Sequence, residues 1–204
     1  MQSPYKRVIV YDLETGGLSS KFNSITEIAM VAVDLETLSI VQEFSTLIKP
    51  RIDLTYLDEE SIRDAKVLYK NLAVKDQDSG VKVLKYREHK ITLKNLDPLV
   101  EDLDLFKEEV LEEKYPSYIL EYEDILEIEK SKHADIMSVL FDNAYNPQAL
   151  EATKIYREDF EGDGCSYQDA FKKCQLFIEK HTIGNSKPIM AGHNIGSLPR
   201  RIVS

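Results

Sequence analysis

The sequence predicts an α/β fold: a mixed sheet flanked by helices, interrupted by a large, mostly helical acidic insertion. Three observations carry this expectation. Residues 5–50 hold three β-rich apolar runs joined by short links. A helix with one apolar stripe, followed by a short strand-like run, lies between 166 and 191. Between these two regions, residues 51–146 change in character and gather the acidic helical segments. The expected organisation is therefore a core from residues 1–50 and 147–204 and an insertion from 51–146.

The elements follow in order. Val8 to Glu14 is an apolar run ended by Thr15-Gly16-Gly17, the pattern of a buried strand meeting a turn. Ile25 to Asp34 is a second strand, and Ser39 to Ile48 returns as a third before Lys49-Pro50. Short links between them predict an antiparallel meander. Residues 51–65 read as irregular or short-helical. Val81 to Leu84 and Lys90 to Leu93 pair as a hairpin. Asp97-Pro98 starts a helix, with Asp as cap and Pro at the first position, and Tyr115-Pro116 ends it. A charged helix is expected from Ser117 to Lys130. A third carries Ala134, Met137, Leu140, Phe141 and Ala144 on one side and ends at Asn146-Pro147. Ser166 and Asp169 form a capping-box-like start. Tyr167, Ala170, Phe171, Cys174, Phe177 and Ile178 then make one apolar stripe, which places Cys174 in the core. Lys187 to Ala191 is the last strand.

Composition narrows the function. The chain has 204 residues, 26 Lys or Arg against 36 Asp or Glu, and a net charge of −10. Residues 99–129 hold 12 of the acidic residues and only two basic ones, Lys107 and Lys114, so the remainder is balanced at 24 of each. The acidity is local, either a solvated helical surface or an interaction face. Two cysteines exclude a disulfide scaffold, and no His or Cys partner stands at zinc-ligand spacing. No window approaches ~18 uninterrupted apolar residues, so no membrane span is expected. The N-terminus lacks a signal peptide's apolar segment, which makes a reducing cytoplasm the default.

The chemistry concentrates at the end of the first strand. Asp12 and Glu14 are two apart, so both side chains leave one face with Val10, while Ile9, Tyr11 and Leu13 take the other. Two adjacent carboxylates repel unless a cation lies between them, and Mg²⁺ is commonly held by one or two carboxylates plus substrate phosphate. Asp-x-Glu alone is common. The longer stretch is more specific: Asp12-Leu13-Glu14-Thr15-Gly16-Gly17-Leu18 behind an apolar strand, then Ile25-Thr26-Glu27-Ile28-Ala29, and later Ala191-Gly192-His193-Asn194-Ile195 after a short strand.

In that order these segments resemble the first and second motifs of the DnaQ-like 3′–5′ exonucleases of the DEDD superfamily, which have an RNase H-like fold. The resemblance covers residues 5–50 and 147–195. It implies phosphodiester hydrolysis at a nucleic-acid 3′ end with two Mg²⁺ or Mn²⁺ ions held by four carboxylates. Asp12 and Glu14 match the first two of the four, as metal ligands and catalytic residues. Thr15, Gly16, Gly17, Leu18, His193 and Asn194 match positions that contact substrate. The implied partners are a nucleic-acid 3′ end, DNA ahead of RNA, and a polymerase or a complementing C-terminal polypeptide, as in replication proofreading. Glu27 is either a supporting group or a charged strand residue.

The pattern then departs from the family. Asn194 should be followed, three residues on, by an aromatic-Asp pair, but residues 195–204 contain no Asp. The third motif, His or Tyr four residues before Asp, is also absent; His133-Ala134-Asp135 has the wrong spacing and order. The expectation is an exonuclease unit broken off within its second motif and inactive alone. The alternative is a non-catalytic exonuclease-like module that binds nucleic acid or protein.

Overall fold

The computed structural model describes residues 5–19, 22–57, 73–77, 79–86, 89–91 and 97–192. In chain order the strands are β1 (Arg7–Thr15), β2 (Ile25–Asp34), β3 (Ile40–Leu47), β4 (Ile52–Asp53), β5 (Val74–Lys75), β6 (Lys82–Tyr86), β7 (His89–Ile91), β8 (Ile119–Leu120) and β9 (Ile189–Gly192). The helices are α1 (Asp97–Phe106), α2 (Tyr122–Glu129), α3 (Ala134–Ala144), α4 (Pro147–Thr153), α5 (Arg157–Gly162) and α6 (Tyr167–Lys180), and a π-helical segment, Lys107–Glu112, follows α1. Two compact units result. One takes Met1–Thr15, Ile25–Lys49 and Glu151–Ser204; the other takes Gly16–Ser24 and Pro50–Leu150. The sequence places the boundaries at 50/51 and 146/147, and nothing in it sends residues 16–24 to the second unit.

The first unit is an α/β arrangement around a mixed four-stranded sheet of order β3-β2-β1-β9. β1, β2 and β3 form the expected antiparallel meander, and β9 lies parallel to β1 with Val8 opposite Ile189 and Tyr11 opposite Gly192. Period-2 alternation decides which face is dry: Ile9 is 0% exposed, whereas Val10 is 45% exposed. Ile9, Ile28, Met30, Ala32 and Ile48 meet Ala170, Cys174 and Phe177 of α6 in one core cluster. The helix begins as its sequence indicates, with the Asp169 backbone N–H donating to Ser166 Oγ at 3.1 Å. Cys174 is buried in this core and its thiol is pushed up to about 11, first by desolvation. α5 is a short helix whose entry is fixed by the Tyr156 N–H donating to Asp159 Oδ2 at 2.7 Å. Cys165 is half-buried. Its N–H donates to the Leu47 carbonyl at 3.0 Å, and its carbonyl accepts from the Lys49 N–H at 2.9 Å, so this loop extends the edge of the sheet.

The end of α6 carries a pH-sensitive group. His181 is 5% exposed, lies tilted against the Phe177 ring at 4.7 Å, and has no hydrogen-bond partner at Nε2 among the described residues. Desolvation, then the charges of Arg7 and Lys180, hold its pKa below the ordinary 6.5. The folded state thus binds fewer protons than the unfolded chain once pH falls below about 6.5, and stability drops as pH falls from there. Asp34 acts in a lower window. The Thr37 backbone N–H, with further help from Glu36 and Arg7, draws its pKa from 3.8 to about 2, so its contribution is lost only between those values. Urea midpoints are therefore expected to decline between pH 7 and pH 5, and His181→Phe should flatten that decline while leaving the loss below pH 4 in place.

The second unit is mainly helical, with two small sheets, β4-β8 and β5-β6-β7. Its acidic helices are not charged throughout. Leu99, Leu103, Phe106, Leu111, Leu120, Ile125 and Met137 are at most 1% exposed. The expected hairpin at 81–93 is present as β6 and β7 over the described residues, and β5 adds a third strand. The charged helix expected from Ser117 starts only at Tyr122. Ile119 and Leu120 instead pair with Asp53 and Ile52, and the Glu121 N–H donates to Asp124 Oδ2 at 2.9 Å to begin the helix. Strand pairing with a distant segment overrides local helical preference here. Asn146-Pro147 does more than end α3. Asn146 Oδ1 accepts from the Gln148 N–H at 2.9 Å, and Pro147 opens α4 at the first helical position. Among the described residues, no helix is long and apolar enough to cross a membrane.

Candidate functional site

β1 lies inside the four-stranded sheet, between β2 and β9. Asp12 and Glu14 share its face with the exposed Val10; Asp12 is exposed and Glu14 half-buried. On a strand their Cα atoms lie about 7 Å apart. The register places Asp12 opposite Ala29 and Glu14 opposite Glu27. Directly opposed residues of an antiparallel pair share a face, so Glu27 brings a third carboxylate to this side of the sheet. Among the described residues, no Lys, Arg or His forms an ion pair with any of the three. Among the described residues, Asp12 Oδ1 accepts only the neighbouring Leu13 N–H, at 3.1 Å. Like charges facing each other without a cation cost stability, and that cost is what a bound cation would remove.

Beyond Glu14 the strand is irregular, the register shifting between Glu14 and Thr15. The chain then enters the Gly16–Ser24 loop of the second unit. This loop is closed by the Gly16 N–H donating to the Ser24 carbonyl at 2.8 Å and the Ser19 N–H donating to Asn23 Oδ1 at 2.8 Å. Among the described residues, backbone and side-chain bonds fasten it within that unit, including one from Ser24 Oγ to the Arg51 carbonyl. The Asn146 N–H donates to the Gly16 carbonyl at 2.8 Å, the Ser24 N–H to the Ala144 carbonyl at 3.1 Å, and Asn23 Nδ2 to the Asn143 carbonyl at 2.6 Å. Phe22 stands edge-on to Tyr56 at 4.6 Å. Leu18, at the loop's tip, is fully exposed.

Gly16 has a structural reason of its own. A Cβ there would lie 2.2 Å from the Ala144 carbonyl oxygen and 2.8 Å from Tyr145 Cα. Backbone has approached backbone, and no side-chain rotamer relieves that overlap. Gly16→Ala is expected to destabilise the second unit by about 1–3 kcal/mol. Hydrogen exchange should show it as lost protection at Gly16, Ser24 and Asn146, with little change in β2 and β3.

Of the residues singled out by sequence, Asp12, Glu14 and Thr15 are brought together at the end of β1, and Gly16, Gly17 and Leu18 continue from it in the fastened loop. β9 ends its described part at Gly192, opposite Tyr11 and one residue short of Asp12. His193 and Asn194 come next and lie outside the described residues. Sequence reasoning missed Asn23, whose amide bonds Ser19 within the loop and Asn143 outside it. An Asn in a turn is visible locally; its partner 120 residues away is not.

The fit to metal is partial. Two carboxylates on one exposed face suit a single Mg²⁺ or Mn²⁺ that keeps most of its water ligands. Among the described residues, no group of three or more His, Cys, Asp or Glu is arranged to hold a metal ion. The arrangement therefore does not supply the set that a two-ion centre needs. Comparison with protein-family models and with curated proteins returns no match.

Proposed function

We propose that this chain is an exonuclease unit of the DnaQ-like, RNase H-like type, and that Asp12 and Glu14 supply two of the four carboxylates of its metal-dependent 3′–5′ phosphodiesterase centre. The observation that carries this is the pair's placement: adjacent on one face of β1, inside a mixed sheet, without a cationic partner among the described residues, immediately ahead of a fastened Gly-Gly loop with Leu18 exposed. A bound divalent ion supplies charge neutralisation at the scissile phosphate. This chain's own share is to hold the ion through Asp12 and Glu14. Glu27 adds negative charge beside Glu14. The remaining carboxylates are not found at family spacing in these 204 residues, so a working centre needs them from outside this stretch.

A second reading is favoured by the lack of a three-ligand cluster among the described residues. In it, the unit is a non-catalytic module that binds nucleic acid through the same surface. A 3′-labelled single-stranded oligonucleotide with Mg²⁺ or Mn²⁺ separates the two. The chain alone should leave the label in place. Adding a polypeptide with the aromatic-Asp and His-x4-Asp segments should release it nucleotide by nucleotide, and Asp12→Ala should stop the release. No release in the complemented mixture selects the non-catalytic module. Robust release by the chain alone would show that its own residues complete the centre.

A further inference from the structure

Two helices carry exposed faces of opposite charge, each centred on a leucine. On α6 of the first unit, Leu176 is 57% exposed. Its neighbours on the helix surface, three and four residues before and after it, are Lys172, Lys173, Glu179 and Lys180. On α1 of the second unit, Leu105 is 49% exposed. Its neighbours at the same offsets are Glu101, Asp102, Glu108 and Glu109, the last two in the π-helical segment. One exposed leucine on a helix is ordinary. Two of them, ringed by opposite charges in one chain, are complementary surfaces.

Several of these charges are uncommitted. Among the described residues, no ion pair or side-chain hydrogen bond holds Lys172, Lys173 or Lys180. Lys180 opposes protonation of the neighbouring His181, which is a repulsion and not a partner. The same freedom holds for Glu101, Asp104 and Glu108. Asp104 joins the other two on one face, three residues from Glu101 and four from Glu108. All six side chains are exposed. Their neighbours are engaged: Asp102 has a partner, Glu109 is held by Lys132 and His133, and Glu179 accepts from Gln175 Nε2 at 2.8 Å. The opposite sides of the two helices are buried, with Leu103 and Phe106 on α1 and Cys174 and Phe177 on α6 at most 7% exposed. Lys172 and Lys180 bracket Leu176 over about 12 Å of helix axis, and Glu101 and Glu108 bracket Leu105 over about 10 Å. At the roughly 8–10 Å that separates packed helix axes, leucine meets leucine and lysine stems reach across to carboxylates. Copies of a chain with net charge −10 repel one another overall; apposing these two faces reverses the sign locally.

We infer that the α6 face around Leu176 docks onto the α1 face around Leu105 of a second copy of this chain. Lys172, Lys173 and Lys180 of one copy oppose Glu101, Asp104 and Glu108 of the next, around a contact between the two leucines. The faces differ, so the contact is heterologous. It closes into a dimer if both contacts form between the same two copies, and otherwise adds copies stepwise. One helix-on-helix patch is small, which puts the contact in the weak, transient class. Its charged rim makes it sensitive to salt. The inference is independent of the exonuclease reading.

Sedimentation velocity of the intact chain in EDTA tests this. At about 50 mM salt the weight-average mass should rise with concentration between about 5 and about 200 µM. At about 500 mM salt, screening should weaken the association by about tenfold. Lys172→Glu/Lys173→Glu/Lys180→Glu should stay monomeric over that range, and so should Glu101→Lys/Asp104→Lys/Glu108→Lys. Mixed in equal amounts, the two variants should associate, because each then offers the other a face of opposite charge. A chain carrying both sets should associate with itself. Leu176→Ala should keep the wild-type Tm and weaken association by about fivefold. If a triple variant loses its far-UV circular dichroism, Lys180→Glu and Glu108→Lys replace the sets, each expected to weaken association by about tenfold and to recover in the mixture. A wild type that stays monomeric at the lowest salt overturns the docking, as does association that both charge reversals leave unchanged. Loss in each variant without recovery in the mixture or in the doubly reversed chain overturns the pairing of these two faces. A monomeric wild type that binds DNA through Lys172, Lys173 and Lys180 overturns it in favour of a phosphate-contacting face.

Discussion

Asp12→Ala is expected to lower Mn²⁺ affinity by at least about 100-fold, because loss of a direct ligand exceeds the roughly 10–100-fold cost typical of losing a ligand's supporting partner. Electron paramagnetic resonance of free Mn²⁺ reads this directly. Glu14→Gln should have an effect of the same order on binding and the opposite effect on stability. Glu14 faces Glu27 across β1 and β2, and the described residues place no cation on either. Neutralising one member of such a pair relieves repulsion worth about 0.2–1 kcal/mol in the absence of metal. Glu27→Gln should give the same stabilisation and leave metal affinity within about threefold, well short of the loss expected for a ligand, since Glu27 is not part of a three-ligand group with Asp12 and Glu14. The outcome that sinks the assignment is equal Mn²⁺ binding in wild type, Asp12→Ala and Glu14→Gln. A loss in Glu27→Gln as large as in Asp12→Ala would instead make Glu27 a ligand.

Phe177→Ala is the largest expected effect on stability. Phe177 is 5% exposed in the core between α6 and the sheet, with Phe44 at 5.7 Å and the His181 ring at 4.7 Å. Truncating a buried Phe removes its transfer free energy and leaves a cavity, together about 3–5 kcal/mol. For a chain of this size that corresponds to a fall in Tm of about 6–20 °C. Leu176 is the control. It precedes Phe177 on the same helix but is 57% exposed. Leu176→Ala should therefore stay within about 0.5 kcal/mol of wild type. Scanning calorimetry of the pair tests whether the apolar stripe of α6 is the face that holds the first unit. Similar Tm values for both variants would mean that it is not.

Much of the first unit is legible in the amino-acid sequence alone. β1, β2 and β3 announce themselves by period-2 alternation, and their short links leave an antiparallel meander as the simple solution. Helix α6 is written in a Ser-x-x-Asp start and a 3.6-period stripe. The face shared by Asp12 and Glu14 follows from their separation of two, and Val10 and Ile9 confirm it by their unequal exposure. Three parts are not legible, each for its own reason. β4, β5 and β8 are two residues long, too short for any period to emerge, and they exist because a partner strand is present. The π-helical turn after α1 and the delayed start of α2 depend on which groups the surrounding unit leaves to be paired. The opposition of Glu14 to Glu27 needs a register that composition does not contain.

The sequence by itself determined the alternating strands, the capped amphipathic helix, the carboxylate pair on one face and the local character of the acidity. These are patterns among near neighbours in the chain, so the chain's own geometry enforces them wherever they lie. Only the tertiary structure decided that the Gly-Gly loop is fastened to Asn143, Ala144 and Asn146, and that a third carboxylate faces Glu14. Each of these is a meeting of residues brought together by folding, and backbone hydrogen bonding chooses its partners by position in space.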